Sequence, residues 1–194
     1  MSASANQKSD KGPVIAVVGP SGVGKDSLME ALAAMDPKLC LMRRVVTRAP
    51  EAGGEEYDAV SEEDFAQRAA AGQFALHWPA HGLQYGISRS IEDLRAKGQG
   101  VLVNLSRAVL LQAQEIFGDF IVLSVTASPR VLAERLTGRG REDDAEVQRR
   151  LARASKPLPA GLRRLYEIDN SGDLADAATA AHTAIYAAAE PVRA

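Results

Sequence analysis

The chain has 194 residues, 46% of them hydrophobic and 25% charged, with a formal net charge of −2. That length suits one domain with a substantial core, and the near-neutral balance excludes a broad electrostatic surface for nucleic acid. A single cysteine, Cys40, excludes an internal disulfide framework, and no apolar run is long enough to span a bilayer.

Met1 to Lys11 are small and polar and lack the apolar stretch of a secretory signal, so residues 1–12 are expected as a disordered tail of a cytoplasmic protein. Over residues 13–194, short apolar runs alternate with amphipathic stretches. This predicts an α/β fold: a parallel core sheet flanked by helices. The first strand is expected at Val14–Val18. It leads into Gly19-Pro20-Ser21-Gly22-Val23-Gly24-Lys25-Asp26-Ser27. This run fits the phosphate-binding pattern G-x-x-x-x-G-K-[ST] everywhere except the last position, where Asp26 replaces the hydroxyl residue. The glycines let successive backbone N–H groups turn inward around a polyphosphate. Lys25, expected to face solvent, supplies a point charge, and a helix through Leu28–Leu32 points its positive end at the same anion. Strand before and helix after argue against a chance Gly-rich turn. The expected ligand is a nucleoside triphosphate, ATP with Mg²⁺. Asp26 is taken as the metal ligand; the alternative is that Asp26 caps the helix while Ser27 takes the metal.

A second strand is expected over Leu39–Val46, with Cys40 a buried thiol. Arg43, Arg44 and Arg48 lie at its end, where ligands of an open α/β sheet gather. Residues 49–87 have a different texture and read as a small inserted lobe. It holds a short strand at Tyr57–Val60, a helix opened by Ser61 and ending at Gly72, and a strand at Phe74–Trp78. The segment His81–Ile87 is expected to return to the core. Trp78 is expected to pack rather than to stack on a ligand, and His77 and His81 stay outside the catalytic set. Strands follow at Val101–Asn104 and Phe120–Thr126, both continuous and apolar as burial on two faces requires. Ser106 is expected to cap a helix that runs to Phe117. Ser128-Pro129 opens another. Arg135, Arg139, Arg141, Arg149, Arg150 and Arg153 surround residues 138–150, which read as an Arg-rich lid closing over phosphates. The plain alternative is a solvated face paired with Glu142, Asp143, Asp144 and Glu146. A strand at Tyr166–Asp169 and a helix at Leu174–Ala188 finish the chain.

These residues resemble the guanylate kinase family of P-loop kinases over nearly the whole chain from Val14. The match is carried by Gly-Pro-Ser-Gly-x-Gly-Lys, by Thr47-Arg48-Ala49-Pro50, and by Tyr57 with Val60-Ser61-Glu62-Glu63-Asp64-Phe65. It continues through Gly72-x-Phe74, His81-Gly82, Tyr85-Gly86 and Arg135-Leu136-x-Gly138-Arg139-Gly140. The resemblance implies that Arg48, Tyr57 and Tyr85 hold the acceptor phosphate, and that Arg139 and Arg150 act with Lys25 on the transferred group.

The departures are informative. Where guanylate kinases read the guanine edge with a carboxylate, this chain has Leu76. Ile87 stands for their Ser or Thr after Tyr-Gly, Asn104-Leu105-Ser106 for their Glu-x-Asp, and Glu51 for a second arginine. A site that loses its hydrogen-bonding partners rejects the old ligand strongly. One branch of the family, whose members phosphorylate the 1-phosphate of ribose 1,5-bisphosphate to 5-phosphoribosyl 1-diphosphate in phosphonate degradation, is similar at these points. The shared features are Lys25-Asp26-Ser27-Leu28, Arg44 before Thr47-Arg48, and Trp78-x-Ala80-x-Gly82-Leu83-x-Tyr85-Gly86. They extend to Val101-Leu102-Val103-Asn104-x-Ser106-Arg107-Ala108 and to Arg150-Leu151-Ala152-Arg153-Ala154. The resemblance implies a phosphorylated sugar as partner, bound by Arg44, Arg48, Tyr57, Tyr85, Asn104 and Arg107, in a monomer or homodimer. A nucleoside monophosphate kinase with altered base choice would need a base-reading constellation, and none is found. A non-catalytic interaction module would have lost Lys25, Arg48, Arg139 and Arg150, and all four stand.

Overall fold

The computed structural model describes residues 11–49, 56–137 and 157–187. Its centre is a sheet of β1 (Val14–Val18), β2 (Leu39–Leu41), β7 (Gly100–Asn104), β8 (Phe120–Thr126) and β9 (Leu165–Asp169), in the order β2-β7-β1-β8-β9. Every pairing in it is parallel. The five residues of β1 are all buried, which explains a strand without polar alternation: each face meets apolar cover. Ile15 and Val17 face one cluster with α1 (Lys25–Met35) and α6 (Leu174–Ala187), through Leu28, Leu32, Ala178 and Ala181. Val14, Ala16 and Val18 face the other, with Ile91 of α3 (Ile91–Ala96) and Leu110, Ala113 and Phe117 of α4 (Leu110–Phe117). The remaining helix on this framework, α5, spans Pro129–Thr137.

A second sheet, in the order β4-β3-β6-β5, forms the lobe from β3 (Val45–Val46), β4 (Asp58–Ala59), β5 (Phe74–Ala80) and β6 (Leu83–Ser88). The helix α2 (Glu62–Ala70) is capped as expected: the Asp64 N–H donates to Ser61 Oγ at 3.0 Å. Phe65 of α2 stacks on Phe74 with ring centroids 4.6 Å apart. Gly86 is required here, because a Cβ on it would lie 2.6 Å from the Phe74 ring. The lobe does not stand apart. Leu76, Trp78 and Ile87 belong to the same cluster as Val14, Val101 and Val103 of the central sheet.

Several expectations are corrected. The single strand expected over Leu39–Val46 is two strands in two sheets, and residues 42–44 carry the chain between them. The segment returning from His81 is a strand, β6, in an antiparallel hairpin with β5; its two-residue turn, His81-Gly82, has positive φ at both positions. Ser106 makes no side-chain cap, and a 3₁₀ turn (Arg107–Val109) precedes α4. Lys11 and Gly12, expected in the tail, are held by the fold: Lys11 Nζ donates to Glu92, and buried Arg95 donates to the Gly12 carbonyl at 2.9 Å. Cys40 is half-buried rather than buried, and burial pushes its thiol up. Among the described residues no helix is long and apolar enough to cross a membrane.

Candidate active site

The loop Gly19–Gly24 leaves the carboxyl end of β1 and enters α1. Beside it, at the same edge of the parallel sheet, stand Asn104 at the end of β7 and Asn170 just after β9. Gly24 has φ 91°, and a Cβ there would lie 2.6 Å from Asn170 Nδ2, so the loop admits no side chain at this point. Two donors hold the loop from beneath through the Val23 carbonyl, Asn170 Nδ2 at 2.7 Å and Arg135 Nη1 at 3.2 Å. Asn170 is 3% exposed, and its Oδ1 has no partner among the described residues. Sequence reasoning missed Asn170. The signal available was its place between a strand and the turn Ser171-Gly172, opposite the loop.

A cavity of about 220 Å³ opens over the loop. It is lined by Ser21, Gly22, Gly24, Lys25, Asp26, Ser27, Arg44, Val46, Arg48, Tyr57, Tyr85 and Asn104. Eleven of these twelve are residues singled out in the sequence; Val46 is the addition. Gly19 and Pro20 contribute carbonyls instead, and Val23 is buried beneath. Lys25 does not face solvent. It is half-buried and folded back on its own loop, donating to Gly19 O at 3.2 Å and Pro20 O at 3.0 Å. An anion at the loop would draw Nζ off these neutral acceptors. The cradle therefore fits a polyphosphate, and the carboxylate of Asp26 and the hydroxyl of Ser27, both groups able to ligate a divalent cation, line it.

The opposite wall of the cavity is built from the crossing between the two sheets and from the lobe. Arg44 lies over the ring of Tyr85, 4.9 Å from its centroid, and Arg48 over Tyr57 at 5.8 Å. Tyr57, just before β4, donates its hydroxyl at 2.5 Å to the carbonyl of Ala49, three residues beyond β3. Burial pulls the Arg44 pKa down to about 10 against the opposing pull of Tyr85 and Asp26, so it stays a cation at neutral pH. Behind Tyr85, Trp78 stacks at 5.6 Å and 13° and donates Nε1–H to Ser106 Oγ at 2.9 Å. Leu76 and Ile87 are buried in the core, 2% and 0% exposed. A second cavity adjoins the first, sharing Asp26, Arg44 and Asn104 and adding Met29, Glu30, Leu41, Met42, Arg43 and Glu56. There Arg43 pairs with Glu56. Arg107, half-buried in the 3₁₀ turn, lines neither cavity, and burial lowers its pKa. Arg139, Arg150 and the lid at 138–150 lie outside the described residues, as does Glu51. His77 and His81 are exposed on the lobe and line neither cavity.

A parallel sheet with a phosphate loop, a cationic cavity wall and an inserted lobe defines a P-loop kinase, and the guanylate kinase family model matches residues 11–172. The chain belongs to the guanylate kinase family. It is 66% identical over 187 residues to the ribose 1,5-bisphosphate phosphokinase PhnN of Ruegeria sp. (strain TM1040), covering 96% of this chain and 98% of that one. With the enzyme of the same name from Pantoea vagans it shares 49% over 165 residues, covering 84% and 91%. Among solved structures, a guanylate kinase from Anaplasma phagocytophilum superposes with a TM-score of 0.63 at 22% identity, covering 91% of this chain and 86% of that one. This last likeness bears on the fold alone.

Proposed function

We propose that the chain transfers the γ-phosphoryl group of ATP to the 1-phosphate of ribose 1,5-bisphosphate, giving 5-phosphoribosyl 1-diphosphate and ADP. The observation that carries this reading is the chemistry of the acceptor side: the guanidiniums of Arg44 and Arg48 lie over the rings of Tyr85 and Tyr57, and Leu76, standing where a guanine-reading carboxylate would be, is an apolar side chain buried in the core. The activity named for the relatives agrees with it.

In this reading the loop amides and Lys25 hold the β- and γ-phosphates. Arg48 and Arg44 fix the acceptor phosphate so that one of its oxygens faces the γ-phosphorus in line with the leaving ADP oxygen. That oxygen forms the new P–O bond as the bond to ADP breaks. Mg²⁺, held by Asp26 or Ser27, would neutralise charge on the phosphates. Arg139 and Arg150 would do the same from the lid. Little covalent chemistry is asked of the protein, which accounts for a site of cations and amides without a dedicated nucleophile.

The test is a product assay with ATP and a panel holding ribose 1,5-bisphosphate, GMP and other nucleoside monophosphates. Faster turnover of GMP at matched concentration would replace this reading with a guanylate-type kinase. Arg43→Ala and Arg107→Ala then locate the distal phosphate: the replacement that raises acceptor KM without changing ATP KM identifies its holder.

A further inference from the structure

The acceptor cations are supported by a row of side chains that ends in the core. Trp78 is 3% exposed. Its ring stacks on Tyr85, Tyr85 lies beneath the Arg44 guanidinium, and its Nε1–H is spent on Ser106 Oγ. Nucleobase recognition needs a free aromatic face and a polar edge within a pocket. Here Tyr85 is shared between a guanidinium and an indole. The Ser106 hydroxyl and the Thr47 hydroxyl, which takes the Gln84 N–H at 2.9 Å, are both engaged within the protein. Leu76 and Ile87, the neighbouring cross-strand pair on the same face of the hairpin as Trp78 and Tyr85, fill the adjoining core.

We infer that Trp78 is a positioning residue for acceptor choice, which, through Tyr85, sets Arg44 for a base-free phosphate. The inference rests on the reading of the acceptor as a sugar phosphate. The guanidinium explains the choice of Arg over Lys at position 44, since a planar cation lies flat on a ring and still presents an N–H edge. Trp78 touches no reacting atom. Its effect passes through Tyr85 to Arg44, so it should appear in acceptor affinity and not in ATP affinity.

The chain holds one tryptophan, so its emission reports on this row without labelling. In the wild-type protein, titration with ribose 1,5-bisphosphate should change Trp emission, and titration with ATP alone should not. Ser106→Ala removes the indole's anchor while leaving the stack. It should raise the acceptor KM about fivefold, the worth of one neutral hydrogen bond, with ATP KM unchanged. Trp78→Phe keeps a ring on Tyr85 and should match Ser106→Ala. The double variant should be no worse than either single one, because both remove the same bond. Trp78→Leu, which loses ring and bond together, should raise acceptor KM beyond Trp78→Phe.

The inference is overturned if the single effects on acceptor KM add, or if ATP KM rises in parallel. It is overturned too if folded Trp78→Leu keeps the wild-type acceptor KM while ribose 1,5-bisphosphate is turned over well; that outcome leaves the proposed function standing. Preference of the wild type for GMP defeats both, since the Arg44 row would then serve a nucleotide.

Discussion

Replacing Asn170 tests how far the phosphate loop depends on support from beneath. In Asn170→Ala the bond from Nδ2 to the Val23 carbonyl is lost. That carbonyl keeps Arg135 Nη1 at 3.2 Å, so the full desolvation cost of a bereft buried oxygen does not apply. One neutral hydrogen bond at a buried site is worth about 1 kcal/mol. Deleting Oδ1, which has no partner among the described residues, gives some of this back. The small void left by the amide takes it away again. The expected loss of stability is about 1 kcal/mol by urea unfolding. The loop amides at Gly22 and Gly24 would also be less firmly held, raising ATP KM by about fivefold, with acceptor KM unaffected. Asn170→Asp should be worse than Ala on both counts. It keeps the shape but sets a buried carboxylate against the Val23 carbonyl. Urea midpoints and ATP KM for the two variants decide the matter. If Asp is tolerated better than Ala, or if ATP KM is unchanged in both, Asn170 is not what holds the loop.

Lys25→Ala should abolish phosphoryl transfer while leaving the urea midpoint near wild type, because Nζ donates to carbonyls of its own loop and the side chain belongs to no core cluster. A folded variant with near-normal turnover would remove the loop from the reaction. Asp26→Asn should shift the Mg²⁺ concentration needed for half-maximal rate; an unchanged Mg²⁺ profile would leave the metal to Ser27. At the far side, Tyr186 donates to Asp36, which also meets His182 Nε2 at 3.1 Å. Burial and the Asp36 contact push the Tyr186 phenol up to about 12, from an ordinary value of 10.0. Its contribution to stability is therefore whole below pH 10 and fades as pH rises through about 12. The difference in urea midpoint between wild type and Tyr186→Phe should hold steady up to pH 10 and shrink above it; a difference that grows with pH would reverse the assignment.

The loop and most cavity residues were legible because their chemistry is local. Glycine spacing, a lysine and a following helix all lie within one short run; Arg44 and Arg48 stand in an arginine cluster, while Tyr57 and Tyr85 came only from the family resemblance. What was not legible depends on pairing across the chain. The run from Leu39 to Val46 reads as one strand with its arginines at the end, and its change of sheets depends on pairing partners far away in the chain. The helix α3 is too short to display a periodicity. Ser106 has the right residue type for a cap, but Trp78, distant in sequence, takes its hydroxyl. Asn170 lacked any partner in sequence terms, because its bond to Val23 closes across 147 positions.

The joint core beneath the lobe limits how this protein could be re-engineered. Leu76, Trp78 and Ile87 pack among Val14, Val101, Val103 and Leu110, so the lobe shares one core with the framework that carries the phosphate loop. Acceptor choice in such a design is not a cassette. A lobe transplanted from a kinase with another acceptor would bring its own inward side chains to a surface shaped for an indole and two aliphatic chains. It would leave voids or overlaps before any ligand arrived. Chimeras of this fold should tolerate exchange only when the facing residues of β7 and α4 travel with the lobe. Diversification of acceptor chemistry along this lineage would then have required coordinated change on both sides of the seam.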